Sequence, residues 1–550
     1  MDTDHTQILK KYGYRKLRRV SDSSTNESVD EIFIPTGHGD GLCRWFRPSE
    51  IAKTSDFRGT LQNLDARLPD SSTDLRLLLA ALLQAEPQRH QFSLSHEGWT
   101  DDLQHFGRAG SVIGKDVGAL VGTQLGLRQR GQAGSLGTRG SVESWSASQG
   151  AIAATSSTIL LAVSAAFAAP LLRLMNESSF SLCFVGPSRT FKSVATLISG
   201  SFIGISKQSE MCTWSITDAN LYEVLPSYND MLFPIDDLTA MEASERDQFR
   251  RIEKVAYDVA SGQEKGRHST FQAQRGKWQS IMLTQSEYSI ASLAERVGQV
   301  RKRGSALRLI DVPVVLGSAG DIFDGVEGTD AIARNAWREE KYCEIVRSCE
   351  RSHGAAFDAY VSWLIKPDSR AVKRSTAHVA KFVEVVRQAQ DDAQVADLSR
   401  KFGLLYAGAM MGIGAGVVAW DRTTALEAIV RCYRGACSIF RLHDIAEAAA
   451  KLREFVKRLP LRKDNVDYDS VAGFRTIGMG KPTFVIKSES LAQLLGPKSR
   501  DALLSDLAER NMILMGTSRH SGKRVPRGQP MWPDGERRRS ITIIGHAKDI

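Results

Sequence analysis

The sequence lacks several patterns that would define its class at once. Its seven cysteines are scattered, odd in number and free of any C-x-x-C pair, so neither a disulfide framework nor a zinc site is indicated. The opening residues, Met-Asp-Thr-Asp-His, lack the basic-then-apolar order of a signal peptide. The one long apolar run, Thr158 to Leu172, has fifteen residues, whereas a membrane span needs about 20. We therefore expect a cytoplasmic protein without a membrane span, in which this run is a buried helix.

The composition is that of an ordinary soluble protein with a basic balance. The chain has 550 residues, of which 42% are hydrophobic and 25% are charged, which is enough for several domains and a sizeable core. The formal net charge is +9. This balance favours a polyanionic partner such as DNA, although charge alone does not establish one.

The most informative segment runs from Leu182 to Ser193 and reads as a strand, a tight loop and a helix start. It fits the Walker A pattern G-x-x-x-x-G-K-[ST], except that Phe191 occupies the second glycine position. In such a loop, backbone N–H groups point at phosphates, the lysine reaches the β and γ oxygens, and the serine hydroxyl ligates Mg²⁺. The predicted ATP-binding residues are Gly186, Pro187, Ser188, Arg189, Thr190, Phe191, Lys192 and Ser193. Because phenylalanine adopts a positive φ only with strain, the alternative is a loop that has lost nucleotide binding.

A second element is the apolar run from Asn229 that ends in Asp236 and Asp237. A Walker B strand needs this arrangement, with one carboxylate on Mg²⁺ and the next polarising the attacking water. We predict that Asp236 joins Ser193 as a metal ligand and that Asp237 is catalytic. The alternative is a buried strand ending in solvated aspartates. Pro234 also counts against a fully paired central strand.

Two further segments follow in the order of such an ATPase. The strand-like run from Lys277 to Glu287 contains Thr284, which we predict senses the γ-phosphate. The basic segment from Arg301 runs into another apolar strand. We predict that its Arg308 reaches a neighbouring subunit's nucleotide, because a guanidinium matches phosphoryl oxygens. Surface charges or DNA contacts are the alternative for these arginines.

Together these residues resemble a known family. The segments that carry the resemblance are Leu161–Leu172, Phe184–Ser188, Trp214–Thr217, Asn229–Phe233, Ala260–Arg267 and Arg308–Pro313. They are similar, over residues 90 to 370, to the bacterial family of domain-of-unknown-function 927, which resembles hexameric helicase-type ATPases of mobile elements, plasmids and phages. The resemblance implies a RecA-like or AAA+ core that works on DNA in replication. It assigns site roles to Lys192, Ser193, Asp236, Asp237, Thr284 and Arg308.

The sequence departs from that family in two places. Family members generally have glycine where Phe191 stands, and an Asp-Glu pair where Asp236 and Asp237 stand. Aspartate in place of glutamate shortens the general base by one methylene, so hydrolysis could be slow even where ATP binds.

Two basic segments are candidates for backbone contacts with DNA. Lys265 and Arg267 lie in a glycine-flanked connector that would face the pore of a ring-shaped motor, although a plain connector is the alternative. Near the end of the chain, two predicted helices and a basic hairpin suggest a winged-helix-like arrangement. Its predicted DNA contacts are Arg519, Lys523, Arg524 and Arg527. Acidic residues on the second of these helices argue against reading of the DNA sequence.

The predicted fold class is α/β, with a RecA/AAA-like P-loop core. The predicted divisions are an α+β module at 1–105, a Gly/Ser-rich basic loop region at 106–150, the ATPase core at 151–330, a helical region at 331–470 and a winged-helix-like domain at 471–550. The predicted function is ATP- and Mg²⁺-dependent DNA unwinding or remodelling for a mobile element by a homo-oligomeric ring. The alternatives are a nucleotide-binding scaffold without turnover, or a regulatory DNA-binding protein, which would leave the ordered motifs unexplained.

Overall fold

The computed structural model describes residues 3–22, 28–37, 39, 41–93, 96–109, 111–114, 136–263, 277–316, 320–324, 331–389, 391–462, 466–478, 480–517, 524–526, 528 and 531–550. The helices are α1 (Thr3–Tyr12), α2 (Pro48–Ala52), α3 (Thr54–Asn63), α4 (Ser72–Gln84), α5 (Val142–Trp145), α6 (Ala151–Ala153), α7 (Ser157–Leu174), α8 (Lys192–Ile203), α9 (Asp218–Val224), α10 (Glu245–Ser261), α11 (Ile290–Arg296), α12 (Arg303–Arg308), α13 (Ala331–Arg351), α14 (Ala355–Ile365), α15 (Ala371–Val386), α16 (Ala393–Gly414), α17 (Arg422–Lys457), α18 (Ser488–Leu495) and α19 (Pro497–Glu509). The strands are β1 (Arg15–Asp22), β2 (Ser28–Pro35), β3 (Gly41–Phe46), β4 (Arg89–Ser93), β5 (Gly98–Trp99), β6 (His105–Arg108), β7 (Ser111–Gly114), β8 (Phe180–Val185), β9 (Leu232–Pro234), β10 (Ile281–Ser286), β11 (Leu309–Pro313), β12 (Gly473–Gly478), β13 (Lys481–Lys487), β14 (Met515–Thr517), β15 (Arg524–Pro526) and β16 (Ser540–Ile544).

The first sheet lies near the N-terminus and has the strand order β3–β2–β1–β4. Ile32 and Ile34 alternate along β2 and are fully buried, because successive side chains of a strand point to opposite faces. They share a hydrophobic cluster with Leu78 of α4. Ser71 caps that helix by accepting the N–H of Thr73.

The central sheet is parallel and positions the candidate site. Its strand order is β11–β8–β10–β9, and every residue of β10 is buried, as expected for a sheet covered on both faces. The chain passes from one side of β8 to the other between β10 and β11. The carboxyl end of β8 is therefore a point where the strand order reverses, which is where open α/β sheets bind ligands.

The acidic strand is shorter than its apolar run. Only Leu232–Pro234 pairs with β10, at the edge of the sheet. Asp230, just before it, has a φ of 56°, in the left-handed region. Pro234 lacks an N–H donor and is accommodated on an edge strand. The position of β9 at the edge of the sheet thus explains how this strand can contain Pro234, which counted against a fully paired central strand.

Helix α7 contains the apolar run and packs against the central sheet. Within the described part of the chain, it is the one helix long and apolar enough to cross a membrane, and 89% of it is buried inside the protein. It packs against α8, α16 and α17. The close approach to α16 depends on Gly408, since a Cβ there would lie 2.5 Å from the carbonyl oxygen of Ser164.

Helix α17 connects the central core to the C-terminal elements. The first part of α17 packs in the central cluster through Ile429, and its last part packs through Leu452 against Leu503 and Ile543. The C-terminal sheet has the order β12–β13–β16, and β14 and β15 form a separate hairpin. The sequence predicts the helical stretch α13–α17 and the helices α18 and α19.

Candidate nucleotide-binding site

The loop Gly186–Phe191 joins the end of β8 to the start of α8. The N–H of Gly186 donates to the carbonyl oxygen of Ser286 (3.1 Å), which fixes the start of the loop against the end of β10. Glycine is required there, because a Cβ would lie 2.4 Å from Cγ2 of Val314. The Thr190 hydroxyl donates to the carbonyl oxygen of Pro187 (2.9 Å) and tightens the turn. The strand, loop and helix predicted from the sequence are therefore present at the carboxyl edge of the parallel sheet.

Phe191 holds the backbone conformation that glycine normally supplies. Its φ is 70° and its ψ is 22°, in the left-handed region. That conformation costs a non-glycine residue about 1–2 kcal/mol. The ring packs edge-on against Phe323, with 5.7 Å between centroids, and lies 5.0 Å from the guanidinium of Arg338. An aromatic pair contributes about 0.5–1.5 kcal/mol beyond its burial, so these contacts offset the strain predicted from the sequence.

The ammonium group of Lys192 lies inside the curve of the loop. Its Nζ donates to the carbonyl oxygens of Gly186 (2.8 Å) and Pro187 (2.7 Å), and the residue is 5% exposed. Burial lowers the pKa of Lys192 from its ordinary value, while the carboxylates of Asp237 and Glu287 act in the opposite direction. An anionic phosphate in this place would favour the charged lysine as these carboxylates do.

Asp236 faces the first turns of α8 through a chain of hydrogen bonds. Its Oδ1 accepts from Nε2 of Gln285 (3.1 Å) and of Gln208 (3.0 Å). The Oε1 of Gln285 accepts in turn from the hydroxyl of Thr196 (3.0 Å), three residues after Ser193 on the same helix. Residues three apart on a helix share a face, so Ser193 and Asp236 lie on the same side of the crevice.

The side chains of Ser193 and Asp236 are chemically suited to bind a magnesium ion. The part of the chain that the structure describes holds no group of three or more His, Cys, Asp or Glu side chains suited to a metal. Mg²⁺, however, is usually held by one or two carboxylates together with substrate phosphates and water. Ser193 is half-buried and its hydroxyl makes no hydrogen bond to a described residue, and the Asp236 carboxylate is held by the amides of Gln208 and Gln285.

Asp237 is near the loop, but one of its oxygens is engaged. Its Oδ1 accepts from the N–H (2.8 Å) and the hydroxyl (2.6 Å) of Thr239, so that Asp237 caps a short turn over Leu238–Ala240. The residue is half-buried. The Asp237 carboxylate opposes the lowering of the Lys192 pKa by burial.

Thr284 lies inside the sheet rather than at its edge. It is fully buried, opposite Cys183 of β8, and two positions before the strand end at Ser286. Its hydroxyl donates to the carbonyl oxygen of Asp236 (3.0 Å) and accepts from the indole N–H of Trp214 (2.9 Å). Its described contacts are thus all within the protein, and its sensing role stays a prediction. Gln285, the next residue, is the side chain that bridges α8 and Asp236, and the sequence interpretation missed it.

Glu287 is a further group that the sequence interpretation left unassigned. It is exposed directly after β10, and its carboxylate accepts a hydrogen bond from the hydroxyl of Ser188 in the loop. The signal was available, because a polar residue that follows a parallel strand lies at the same edge as the loop.

The arginines before β11 lie at the other end of the sheet. Arg308 is exposed, directly precedes Leu309, and stacks over the ring of Tyr257 (5.2 Å). Because Leu309 pairs with Ser181 near the start of β8, Arg308 is about six residues, or about 20 Å, from the loop along the strand direction. Arg301 is buried in an ion pair with Asp311 (3.0 Å). Arg308 therefore does not belong to the crevice of its own chain, and its role between subunits stays a prediction.

Most of the predicted DNA-contacting residues lie outside the described part of the chain. These are Lys265, Arg267, Arg519, Lys523 and Arg527. Arg524 begins β15, where its backbone pairs with Thr517. Their contacts with DNA stay predictions.

A family model matches the first half of the chain. The family is described as Domain of unknown function (DUF927), and residues 19–277 match it. The resemblance inferred from the sequence is thereby confirmed, although the matched region begins and ends earlier than the sequence suggested. It includes the loop and both aspartates but neither Thr284 nor Arg308. No curated protein matches the chain.

Solved structures give the fold. A structure entitled "SCCmec type IV Cch - active helicase" is 14% identical, covers 98% of this chain and 93% of that chain, and has a TM-score of 0.56. The apo structure of the NrS-1 C terminal region (11% identity, 78% of this chain, 94% of that chain) and a structure of JCV Helicase (11%, 45% and 66%) have TM-scores of 0.23 and 0.19. These two scores are too low to bear on the fold. The chain thus has a mixed α/β fold with a parallel sheet, similar to the first of these structures.

Proposed function

We propose that this chain, whose residues 19–277 match the DUF927 family, is an ATPase that remodels or unwinds DNA. ATP with Mg²⁺ would bind in the crevice between the Gly186–Phe191 loop and the aspartates after β9. Ser193 and Asp236 would hold the metal ion, which supplies charge neutralisation at the phosphates. Lys192 would contact the β- and γ-phosphates.

The observation that carries this proposal is the position of Lys192. Its buried ammonium lies within a loop at the carboxyl end of a central parallel strand. Two carboxylates, of Asp237 and Glu287, act on it from the neighbouring strand ends. A buried cation at a helix N-terminus is suited to a polyphosphate, since the backbone N–H groups of the loop and the helix dipole favour negative charge there.

Hydrolysis would depend on the carboxylate of Asp237. The side chain is half-buried beside the loop, and we propose that it orients a water molecule and accepts its proton as the water attacks the γ-phosphate. Gln285 would hold Asp236 in place through its bond to Oδ1 (3.1 Å). The loop N–H groups and Lys192 would stabilise the charge that develops on the transferred phosphoryl group.

Work on DNA is supported by the fold and the charge. The structure with a TM-score of 0.56 is entitled an active helicase, and the net charge of +9 suits a polyanion. We propose a cytoplasmic homo-oligomeric ring that serves the replication or mobility of a mobile element. In such a ring, the exposed Arg308 of one subunit would complete the site of the next.

A nucleotide-binding scaffold without turnover is the second candidate. The specific observation in its favour is the cap at Asp237, whose Oδ1 already accepts two hydrogen bonds from Thr239. If that carboxylate stays turned toward Thr239 when ATP binds, no general base is left at the γ-phosphate.

ATP hydrolysis, measured with and without single-stranded DNA, separates these candidates. The motor predicts turnover that DNA stimulates and that Lys192→Ala abolishes. Lys366→Ala is the matched control, because Lys366 is exposed and remote from the loop in sequence. Nucleotide binding without turnover in the wild-type protein favours the scaffold. Absence of both binding and turnover would overturn the proposal.

A further inference from the structure

The outer side of the loop is attached to a segment that no motif identifies. In residues Asp321–Asp324, the N–H of Ile322 donates to the carbonyl oxygen of Thr190 (3.2 Å). The Asp321 side chain is completely buried, and its carboxylate accepts from the N–H of Phe323 (3.1 Å) and from Arg334 of α13 (3.1 Å). This segment therefore joins the loop to helix α13.

Arg338 makes the second link between the loop and α13. Its guanidinium carbon lies 5.0 Å from the centre of the Phe191 ring, and one of its N–H groups donates to the carbonyl oxygen of Arg189. Its Nε is 3.9 Å from the Asp321 carboxylate. One side chain thus contacts the loop backbone, the ring of Phe191 and the Asp321 segment together.

The ring of Phe191 lies among aromatic side chains from both the Asp321–Asp324 segment and helix α13. Phe323 and Tyr342 lie 5.7 and 6.4 Å away, and Phe323 packs edge-on against Trp337 of α13 at 5.3 Å. A glycine at position 191 would have none of these contacts. It would free the backbone at the point where α8 begins, because glycine populates many conformations.

We propose that Phe191 is a positioning residue that anchors the loop to α13, with Arg338 and Asp321 as the other parts of the anchor. The side chain replaces the conformational freedom of glycine by a fixed left-handed turn, so that the loop has its curved shape before nucleotide arrives. Preorganisation of this kind improves binding, because less ordering is needed on association. The inference rests on the proposed function in one respect, which is that the bound ligand is a nucleotide.

If Phe191 anchors the loop, its replacement by glycine should change the affinity for Mg-ATP in the direction opposite to that expected if Phe191 obstructs the loop. If phenylalanine merely obstructs phosphate binding, Phe191→Gly tightens the binding of Mg-ATP. If the ring anchors the loop, Phe191→Gly raises the Kd for Mg-ATP by about tenfold or more, whereas kcat at saturating ATP stays within about twofold, since the bound loop recovers its shape. Tighter or unchanged binding in the variant overturns the proposal.

Hydrogen exchange of the nucleotide-free protein tests the anchor independently of ATP. The N–H groups of Val194 and Ala195 donate to the carbonyl oxygen of Phe191, so they report whether this turn is held. Phe191→Gly and Arg338→Ala should each speed their exchange by about tenfold. The double variant should be no faster than Phe191→Gly alone, because both changes break one unit. Unchanged exchange, or effects that add, would overturn the anchor.

Controls keep the two proposals separable. Arg347→Ala changes the same residue type at an exposed position of α13 and should leave both readouts unchanged. Phe191→Leu retains an apolar side chain, so it substitutes for the glycine variant if the latter does not fold, and it should show a smaller effect of the same sign. If the wild-type protein binds no nucleotide, the proposed function fails while the exchange experiment still decides the anchor.

Discussion

At the scale of single residues, the sequence predicts the loop and the two aspartates that follow β9, but neither the contacts of Gln285 and Glu287 nor how the side chains are held. The spacing of Gly186 and Lys192 was enough to predict the loop. It could not show that the ring of Phe191 packs under Arg338, since that contact joins residues far apart in the chain. Thr284 was predicted as a site residue from its place near a strand end. The pattern of a strand buried on both faces contains no signal for how far from the edge a residue lies.

Asp237 carries the first prediction. Asp237→Asn removes the group that we propose as general base while keeping an acceptor for Thr239. We expect kcat for ATP hydrolysis to fall by about 100-fold or more, with the Kd for Mg-ATP changed little. Asp237→Glu extends the carboxylate by one methylene and should raise kcat. Steady-state turnover at saturating ATP checks both variants, and equal activity of all three proteins would exclude Asp237 from the reaction.

Asp230 carries a prediction about pH. Complete burial raises its pKa from 3.8 to about 7. The folded protein therefore keeps a proton that the unfolded chain releases above about pH 4, and the free energy of unfolding contributed by this group falls as the pH rises toward 7. The shift of about three units corresponds to about 4 kcal/mol as an upper value.

Asp230→Asn tests this directly. Asparagine keeps an oxygen for the N–H of Trp99, which donates to Asp230 Oδ2 at 2.9 Å, and it tolerates the left-handed backbone. The variant should gain stability relative to the wild type between pH 5 and pH 8 in urea unfolding. Asp65→Asn is the control, because Asp65 is exposed and also has a positive φ, of 52°. A wild-type-to-variant difference independent of pH would contradict the assignment.

At the scale of elements, the parallel sheet and its flanking helices follow from the sequence, whereas their ends do not. The run from Asn229 to Asp237 looked like one strand, but the left-handed turn at Asp230 and the missing N–H of Pro234 leave only a short one. The edge of the sheet at which Arg308 lies could have been predicted from the sequence. Parallel strands present their carboxyl ends at one edge, and an arginine that precedes β11 lies at the opposite edge.

The contact between α7 and α16 gives an element-scale prediction. A Cβ at Gly408 would lie 2.5 Å from Ser164 O and 2.7 Å from Ala168 N, so Gly408→Ala forces the two backbones apart. We expect the free energy of unfolding to fall by about 1–3 kcal/mol. Gly59→Ala, in α3 where nothing lies within 4 Å of the new Cβ, should raise it by about 0.5–1 kcal/mol. Chemical denaturation measures the free energy of unfolding of both variants. A change in the same direction for the two would show that the close approach of α7 and α16 does not limit stability.

At the scale of the whole molecule, assembly decides the role of Arg308. Its side chain is exposed and lies far from the loop of its own chain, so a contribution to hydrolysis requires a second subunit. The sequence suggested this through the basic segment that precedes β11 and through the family resemblance.

Mixing two inactive variants tests the contribution between subunits. Lys192→Ala and Arg308→Ala should each lack turnover, whereas an equimolar mixture should recover activity at about a quarter of the interfaces, where an intact loop meets an intact arginine. The double variant mixed with either single variant is the control and should stay inactive. No recovery in the mixture, with ring formation verified by sizing, would remove Arg308 from the site.

The central claim is that Mg-ATP binds between the Lys192 loop and the aspartates after β9. Calorimetric titration of Mg-ATP into the full chain tests it most directly. We predict one saturable site per chain that is lost in Lys192→Ala and retained in Lys366→Ala. Equal binding by the wild type and Lys192→Ala, or no saturable binding by the wild type, would contradict the account.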